Sequence, residues 1–366
     1  MRARVRRGDH HRWRQDHTPG VSDQFDSLGL SWMQRSAALT HRMCEAEIPV
    51  ILPDERIVFT RTLPDVPPVY GAADWRQLTA GRTLHELGPI SNICANWGMV
   101  LAAGLVGRRA LALETRRRMK DDPEVVTFLD AAVETIDAVL ELAARYAEAA
   151  RAAGEADIAE TLAWVPAHTP RSFREALQAL RLVHAVVWLS GHYHVGLGRF
   201  DQYMWPYLQA DLEAGRETLD SAGELLAEFF IDLNKDSDLY PGVQQGDNGQ
   251  TLTLGGVRPD GGDGVNPLTW LSLEVALQTS MIDPKINLRI GPDTDLALLS
   301  LATELTRKGL GFPQYSNDAV VIPALVSHGY DLADARDYTV AACWEFIISG
   351  KGREVVNIDA VSLSAA

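Results

Sequence analysis

The stretch from Pro123 to Ala153 constrains the fold of this chain more than any other, because its apolar residues have the spacing of one long helix. Asp122 and Pro123 give a start signal, and Gly154 gives a stop signal. The apolar residues that recur at this spacing are Val126, Leu129, Ala132, Ile136, Val139, Leu140 and Leu142. The sequence therefore predicts a helix over residues 123–153 within a mostly helical first half.

Other helix and strand patterns give the fold class. Two further helices are predicted at residues 172–189 and 221–233. The strand-like runs are Thr251–Leu254, Ile286–Ile290, Val320–Val321 and Tyr338–Ala342. Asn317 and Asp318 offer an alternative for the third run, because they can cap a helix that begins near Ala319. Without an internal repeat or a low-complexity linker, the pattern predicts an α/β fold in one domain.

One cysteine and one carboxylate stand two residues apart near the end of the chain, in Ala342-Cys343-Trp344-Glu345. In extended backbone, residues i and i+2 point to the same face, so the thiol and the carboxylate would enter one cavity together. This pair suits a reaction that needs a sulfur-centred hydrogen-atom carrier and a proton acceptor. The alternative is that Cys343 is a small buried hydrophobic residue.

Several segments, in order along the chain, resemble the pyruvate formate-lyase-like glycyl radical enzymes. They are Pro49–Val58, Pro170–Gln178, Leu197–Tyr203, Thr251–Gly256, Gly309–Asp318, Ile322–Leu325 and Asp334–Tyr338, which leads into Cys343. The resemblance covers residues 24–366. It implies a ten-stranded barrel made of two five-stranded halves and wrapped by helices, of which this chain holds the N-terminal part.

The resemblance also implies roles for single residues. Cys343 would become the thiyl radical that abstracts hydrogen from the substrate, and Glu345 would be the general base. Gln250 lies where the family approaches its substrate and is a candidate substrate-binding residue. The implied reaction is a radical lyase reaction on a small polar substrate, with elimination of water or an amine, or with decarboxylation.

The Cys motif departs from the usual family pattern, Gly-Cys-Val-Glu-Pro. Ala342, Trp344 and Phe346 replace the Gly, the Val and the Pro. Family members that cleave pyruvate carry two adjacent cysteines, and Ala342 stands at the first of these positions. The sequence therefore argues against pyruvate formate-lyase activity, and it leaves the substrate open.

The family stores its radical on a glycine in a C-terminal loop that resembles Arg-Val-x-Gly-Tyr, and no such loop occurs in these 366 residues. The resemblance implies that a radical S-adenosylmethionine activase installs the radical and that this chain binds no cofactor itself. We expect a chain truncated after the Cys loop that is inactive alone and associates with a C-terminal half or as a homodimer. The alternative is a non-catalytic remnant, or a half-enzyme that needs a separate glycyl-radical polypeptide.

The N-terminus differs in charge from the rest of the chain. Residues 1–17 contain six Arg and two Asp, which gives this segment a charge of +4. The whole chain has a net charge of −15, so residues 18–366 together carry a charge of −19. Residues 1–23 are therefore predicted to be a disordered basic arm, with one domain over residues 24–366. A basic arm can bind nucleic acid, but the acidic balance of the chain argues against such a partner.

Composition and cysteine usage narrow the class of protein. No run of 18 apolar residues is present, which argues against a membrane span and favours a cytoplasmic enzyme. Cys44, Cys94 and Cys343 are an odd number at unrelated spacings, which argues against a disulfide framework and a zinc site. His192-x-His194 could offer two metal ligands, but no third ligand is near in sequence, so no metal is predicted.

Overall fold

A computed structural model describes residues 1–71, 76, 93–192, 194–236, 249–342 and 345–351 of the chain. Its helices, numbered α1 to α13 in chain order, are Arg2–Arg6, Ser22–Ser27, Trp32–Ala46, Trp97–Arg118, Pro123–Ala153, Ala156–Trp164, Phe173–Leu189, Phe200–Glu213, Leu219–Leu233, Pro267–Thr279, Leu296–Thr306, Asp318–Ser327 and Leu332–Arg336. Short 3₁₀ turns cover Asp9–Trp13 and Asn234–Asp236. Within these described ranges, no helix is both long enough and apolar enough to cross a bilayer.

Helix α5 confirms the prediction for residues 123–153. The Asp122 carboxylate caps it by accepting the backbone N–H groups of Glu124 at 3.1 Å and Val125 at 3.2 Å. Gly154 ends the helix at φ 82°, in the left-handed region that suits glycine. The buried face of α5 packs in one apolar cluster with α3, α6 and α7.

Helix α4 bends where the chain passes close to another segment. Gly104, inside the helix, has φ 63° and ψ 167°, which breaks the helical backbone. A side chain at this position would overlap the carbonyl oxygen of Ala167. The bend therefore depends on glycine for both its backbone angle and its close approach.

Four parallel strands form the main sheet in chain order, β1 to β4: Gly198–Arg199, Thr251–Gly255, Lys285–Ile290 and Gln314–Asn317. The connection between β1 and β2 contains α8 and α9, while α10 joins β2 to β3 and α11 joins β3 to β4. A parallel bridge between Ile93 and Val195 extends the sheet beyond β1. The structure thus confirms the α/β class and the two strands predicted at 251–254 and 286–290.

The two faces of this sheet differ in chemistry because side chains alternate along each strand. One face carries apolar residues that join the main helical core, namely Leu252, Leu254, Ile286 and Leu288. The opposite face, called the polar face here, carries Thr251, Thr253, Asn287, Arg289 and Ser316. All five are buried, so their polar groups need partners inside the protein.

The strand predicted at Val320–Val321 is wrong, and the alternative of a capped helix is right. Helix α12 covers these residues, and the Asn317 side chain caps it by accepting the Ala319 backbone N–H at 3.0 Å. The β-branched pair favoured a strand locally. The cap provided by Asn317 decides the local structure instead.

The structure gives defined elements to the segment for which the sequence predicts a disordered arm. Val5 of α1 packs against Ile231 and Met281. The backbone N–H of Gln15 donates to the Thr62 carbonyl at 2.8 Å. These partners are distant in sequence, so a search for local apolar periodicity does not reveal them.

Replacing Asp122 by Ala should remove the α5 cap and lower the free energy of unfolding by about 1 kcal/mol. Urea titration followed by circular dichroism measures the change. Asp121→Ala is the matched control, because the two cap bonds of α5 run to Asp122. Equal effects of the two substitutions would contradict the assignment of the cap.

Candidate active site

A two-stranded antiparallel hairpin carries the predicted catalytic segment. Strand β5, Thr339–Ala341, pairs with strand β6, Glu345–Ile347, and Ala341 lies opposite Glu345. Cys343 and Trp344 fall between the strands and lie outside the described residues. Glu345 is half-buried at the first position of β6. The prediction that Cys343 and Glu345 share one cavity therefore stays a prediction.

Two threonines of the polar face hold the hairpin on the sheet. Thr253 Oγ1 lies 2.7 Å from Thr339 Oγ1 and accepts the Val340 backbone N–H at 3.2 Å. Thr251 Oγ1 donates to the Ala342 carbonyl at 2.7 Å. Strand β5 therefore crosses β2 from its carboxyl end toward its amino end, and Cys343 follows directly after the contact with Thr251.

A buried ion pair fixes the chain just before the hairpin. Arg289 donates from Nε and Nη2 to the two carboxylate oxygens of Asp318, both at 2.9 Å. Its Nη1 donates to the Tyr338 carbonyl at 3.1 Å, and the Tyr338 hydroxyl donates to Asp318 Oδ1 at 2.7 Å. Burial raises the pKa of Tyr338 well above its usual value. Tyr338 therefore stays a neutral donor to the carboxylate.

A second arginine holds the same approach segment. Arg199 donates from Nη1 to Asp337 Oδ1 at 3.0 Å and from Nη2 to the Gly255 carbonyl at 2.9 Å. Burial lowers the pKa of Arg199, and the nearby Arg289 cation acts in the same direction. Both arginines thus connect the carboxyl ends of the strands to residues 337 and 338.

The far side of the hairpin packs on the segment that extends the sheet. Cys94 forms a small apolar cluster with Ala341 and Ile347, and its Sγ lies 3.4 Å from Ser349 Oγ. Trp97 Nε1 donates to the Gly196 carbonyl at 2.8 Å and ties this segment to the residues that lead into β1. The hairpin therefore packs against β2 on one side and against the segment around Cys94 and Trp97 on another.

Gln250 is fully buried just before β2. Its Nε2 donates to the Leu233 carbonyl at the end of α9 at 3.0 Å. This hydrogen bond runs to the helical layer, and among the described hairpin residues, 339–342 and 345–347, none is hydrogen-bonded to the Gln250 side chain. Its role in substrate binding stays a prediction.

Ala342 has φ 48°, in the left-handed region. The usual family pattern has glycine at this position, which adopts such angles without a steric penalty. For alanine the left-handed region costs roughly 1–2 kcal/mol. The backbone entering Cys343 is therefore strained in this chain, and the Thr251 hydrogen bond to the Ala342 carbonyl helps to hold it.

Sequence reasoning missed the polar residues that position the hairpin. The sequence patterns assign no role to Arg199, Thr251, Thr253 or Arg289, and they mark Asp318 only as part of a helix cap and of a segment that resembles the family. The alternation of Thr251 and Thr253 was a signal, because it places two hydroxyls on one face of a strand. The pairing of Arg289 with Asp318 leaves no pattern in a single sequence.

The described part of the chain contains no group of three or more His, Cys, Asp or Glu side chains placed to hold a metal ion. Two surface depressions in the described part of the chain are lined by residues outside the hairpin. One is lined by Trp97, Leu101 and Pro166, and the other by Val21, Arg42 and Met43. Neither depression is the predicted site.

A parallel sheet that packs on helices through one face and carries a hairpin on its other, polar face places the chain in the α/β class. The family model described as pyruvate formate lyase-like matches residues 65–363. The chain belongs to this family. The match confirms the resemblance found in the sequence, and its range includes the Cys343 and Glu345 positions.

The chain is similar to curated lyases and dehydratases. It is 35% identical over 244 residues to isethionate sulfite-lyase from Nitratidesulfovibrio vulgaris, covering 62% of this chain and 30% of that protein. It is 30% identical over 292 residues to (2S)-3-sulfopropanediol dehydratase from Klebsiella oxytoca, covering 73% of this chain and 35% of that protein. The matched region thus spans about a third of the length of these relatives.

A solved glycyl radical enzyme from Archaeoglobus fulgidus has the same fold, with a TM-score of 0.79 at 21% identity. The superposition covers 95% of this chain and 56% of that chain. The predicted fold, part of a helix-wrapped barrel of the pyruvate formate-lyase type, is confirmed.

The Thr253→Val substitution should leave the Val340 N–H and the Thr339 hydroxyl without their buried partner. Unfolding free energy should fall by about 1–3 kcal/mol, which is the cost of leaving such groups unsatisfied. Chemical denaturation provides the measurement. Thr303→Val on the exposed side of α11 is the matched control, and a similar loss there would show that the hairpin contact is not the cause.

His184 of α7 is a buried titratable group next to the sheet. Its Nε2 lies 3.0 Å from the Val195 carbonyl oxygen, and its ring packs 5.6 Å from the Trp97 ring, centroid to centroid. Burial lowers the pKa of His184 to about 4. The imidazole is therefore neutral in the folded protein at pH 7.

Because the folded-state pKa of His184 is lowered, its contribution to stability is present above the unfolded value of 6.5 and is lost as the pH falls toward 4. The loss should reach about 3 kcal/mol, at 1.36 kcal/mol for each pKa unit. His184→Gln should weaken this pH dependence when unfolding free energies are compared between pH 7 and pH 4. The exposed His168→Gln should leave it unchanged, and an equal effect would contradict the role of burial.

Proposed function

We propose that this chain supplies the hydrogen-abstracting cysteine and the proton acceptor of a radical lyase, namely Cys343 and Glu345. The observation that carries the proposal is the position of Cys343-x-Glu345, inside the matched family region and on a hairpin held to the polar face. The lyase and dehydratase names of the curated relatives support the reaction class.

The proposed chemistry starts at sulfur. A Cys343 thiyl takes a hydrogen atom from a substrate C–H bond, which forms S–H and leaves a carbon radical. Glu345 accepts the proton of a hydroxyl on that carbon, while the leaving group on the neighbouring carbon departs with its bonding electron pair. The S–H hydrogen then returns to the product radical and restores the thiyl.

The proposed substrate is a small polar molecule with a hydroxyl beside a leaving group. The resemblance to the family implies water, an amine or carbon dioxide as the group released. The name of isethionate sulfite-lyase adds sulfite as a leaving group for a relative of this chain. We therefore include elimination of sulfite among the reactions to be tested, alongside dehydration, deamination and decarboxylation.

The unpaired electron belongs on a glycine that these 366 residues do not supply in the family's usual loop. When present, that radical supplies the oxidising equivalent that converts the Cys343 thiol to a thiyl. We propose a radical S-adenosylmethionine activase as the partner that installs it. The radical-bearing segment would be a second partner or a continuation of the polypeptide.

Anaerobic electron paramagnetic resonance tests this proposal directly. The chain is incubated with the activase, with and without the polypeptide that carries the family's glycine loop. A glycyl doublet only in the presence of that loop, followed by turnover of isethionate or 3-sulfopropanediol, supports a radical lyase. No doublet in either mixture favours the alternative of a non-catalytic remnant.

In the radical-loaded enzyme, Cys343→Ala and Glu345→Gln should each lower turnover by at least about 100-fold, while the glycyl signal persists. Product formation and spin quantitation on the same sample measure both quantities. Cys44→Ala is the control, because Cys44 is buried in the N-terminal helical cluster. Full turnover by Glu345→Gln would remove the assignment of the base.

A further inference from the structure

We propose that Asp318 is a positioning residue that fixes the Cys343–Glu345 hairpin through Arg289 and Tyr338. The inference rests on the proposed function for its catalytic meaning, while its structural content concerns residues that the structure describes. Asp318, Arg289 and Tyr338 are called the clamp below.

Each oxygen of the Asp318 carboxylate in the clamp accepts two hydrogen bonds. Asp318 Oδ1 accepts from Arg289 Nε and from the Tyr338 hydroxyl, and Oδ2 accepts from Arg289 Nη2 and from the Val257 backbone N–H at 2.8 Å. Asp318 is only 4% exposed and Arg289 only 1% exposed. Charge-assisted bonds at this burial keep their strength because water does not compete for them.

The clamp holds Tyr338 at three places. Its hydroxyl donates to Asp318, its carbonyl accepts from Arg289, and its ring lies under the Arg289 guanidinium, with 3.9 Å from Cζ to the ring centroid. Tyr338 directly precedes β5. The backbone therefore enters the hairpin from Tyr338, a residue whose hydroxyl, carbonyl and ring are all held by the clamp.

The clamp also reaches the second strand of the hairpin. The Tyr338 and Phe346 rings pack edge to face, with centroids 5.4 Å apart and planes at 86°. Phe346 directly follows Glu345. One chain of contacts thus runs from Asp318 through Tyr338 and Phe346 to the position of the proposed proton acceptor.

The sheet leaves room for the clamp by using glycine at residue 256. Gly256 has φ +73°, and a Cβ there would lie 2.6 Å from Arg289 Nε and 2.8 Å from Asp318 Oδ2. A methyl group would displace the clamp without removing any of its polar groups. Gly256→Ala therefore tests the clamp independently of its charges.

Hydrogen–deuterium exchange of the full 366-residue chain, read by mass spectrometry, tests the proposal without substrate or radical. In Asp318→Asn, backbone amides of residues 339–347 should exchange about tenfold faster or more, because local opening no longer breaks charge-assisted bonds. Amides of β2 and β3 should change much less. Tyr338→Phe removes only the hydroxyl contact and should give a smaller increase in the same peptides.

Asp201→Asn is the matched control. Asp201 is also a fully buried carboxylate beside the sheet, and it accepts from the Gly255 N–H at 2.7 Å and the Thr269 hydroxyl at 2.6 Å. Loss of the Asp201 carboxylate should not selectively raise hydrogen–deuterium exchange of the backbone amides of residues 339–347. A uniform rise in all peptides of the clamp variants, or unchanged exchange in the hairpin, would overturn the proposal. If Asp318→Asn does not fold, Tyr338→Phe and Gly256→Ala decide the question.

In the radical-loaded enzyme, kcat and KM distinguish an effect of the clamp on the position of the hairpin from an effect on stability. Tyr338→Phe should lower kcat by about tenfold with little change in KM at a temperature where the variant is folded. Unchanged kcat together with faster hairpin exchange would show that the clamp does not serve catalysis. Absence of any radical chemistry would remove the proposed function but leave the exchange result standing.

Discussion

The rest of this structure depends on one constraint, which is that the buried polar face of the sheet must have its polar groups satisfied. A buried threonine hydroxyl without a partner costs more free energy than a hydrogen bond contributes, and a buried guanidinium without a partner costs more still. Thr251 and Thr253 meet this requirement by bonding the hairpin, and Arg289 meets it through Asp318 and Tyr338. The chemistry of one sheet face therefore determines where the hairpin of residues 339–347 lies.

The other face of the sheet is held by apolar packing instead of hydrogen bonds. Its leucines and isoleucines pack against the helices that connect the strands, so apolar burial holds the layers together. Apolar packing is non-directional and tolerates small shifts, whereas the hydrogen bonds on the polar face fix distances and angles. The helices thus supply stability, and the polar face supplies the position of the hairpin.

Sequence reasoning succeeded where the determinants are local. Helix α5 was bounded correctly because Asp122, Pro123 and Gly154 act on neighbouring backbone groups. It failed at Val320–Val321, where the β-branched pair suggested a strand and the Asn317 cap set a helix. The motif predicts Cys343 and Glu345 as site residues, and this stays a prediction. The 29-residue separation of Arg289 and Asp318 hides the clamp from the sequence, because ion pairs between distant residues have no sequence period.

The order of residues along the chain gives the hairpin a further property. Its anchors on the polar face and the strand ends, Arg199, Thr251, Thr253, Arg289 and Asp318, all precede it in sequence. Chains emerge from the ribosome from the N-terminus, and N-terminal units fold first. These anchors therefore leave the ribosome before the hairpin does, so that Cys343 emerges after every residue that seats it.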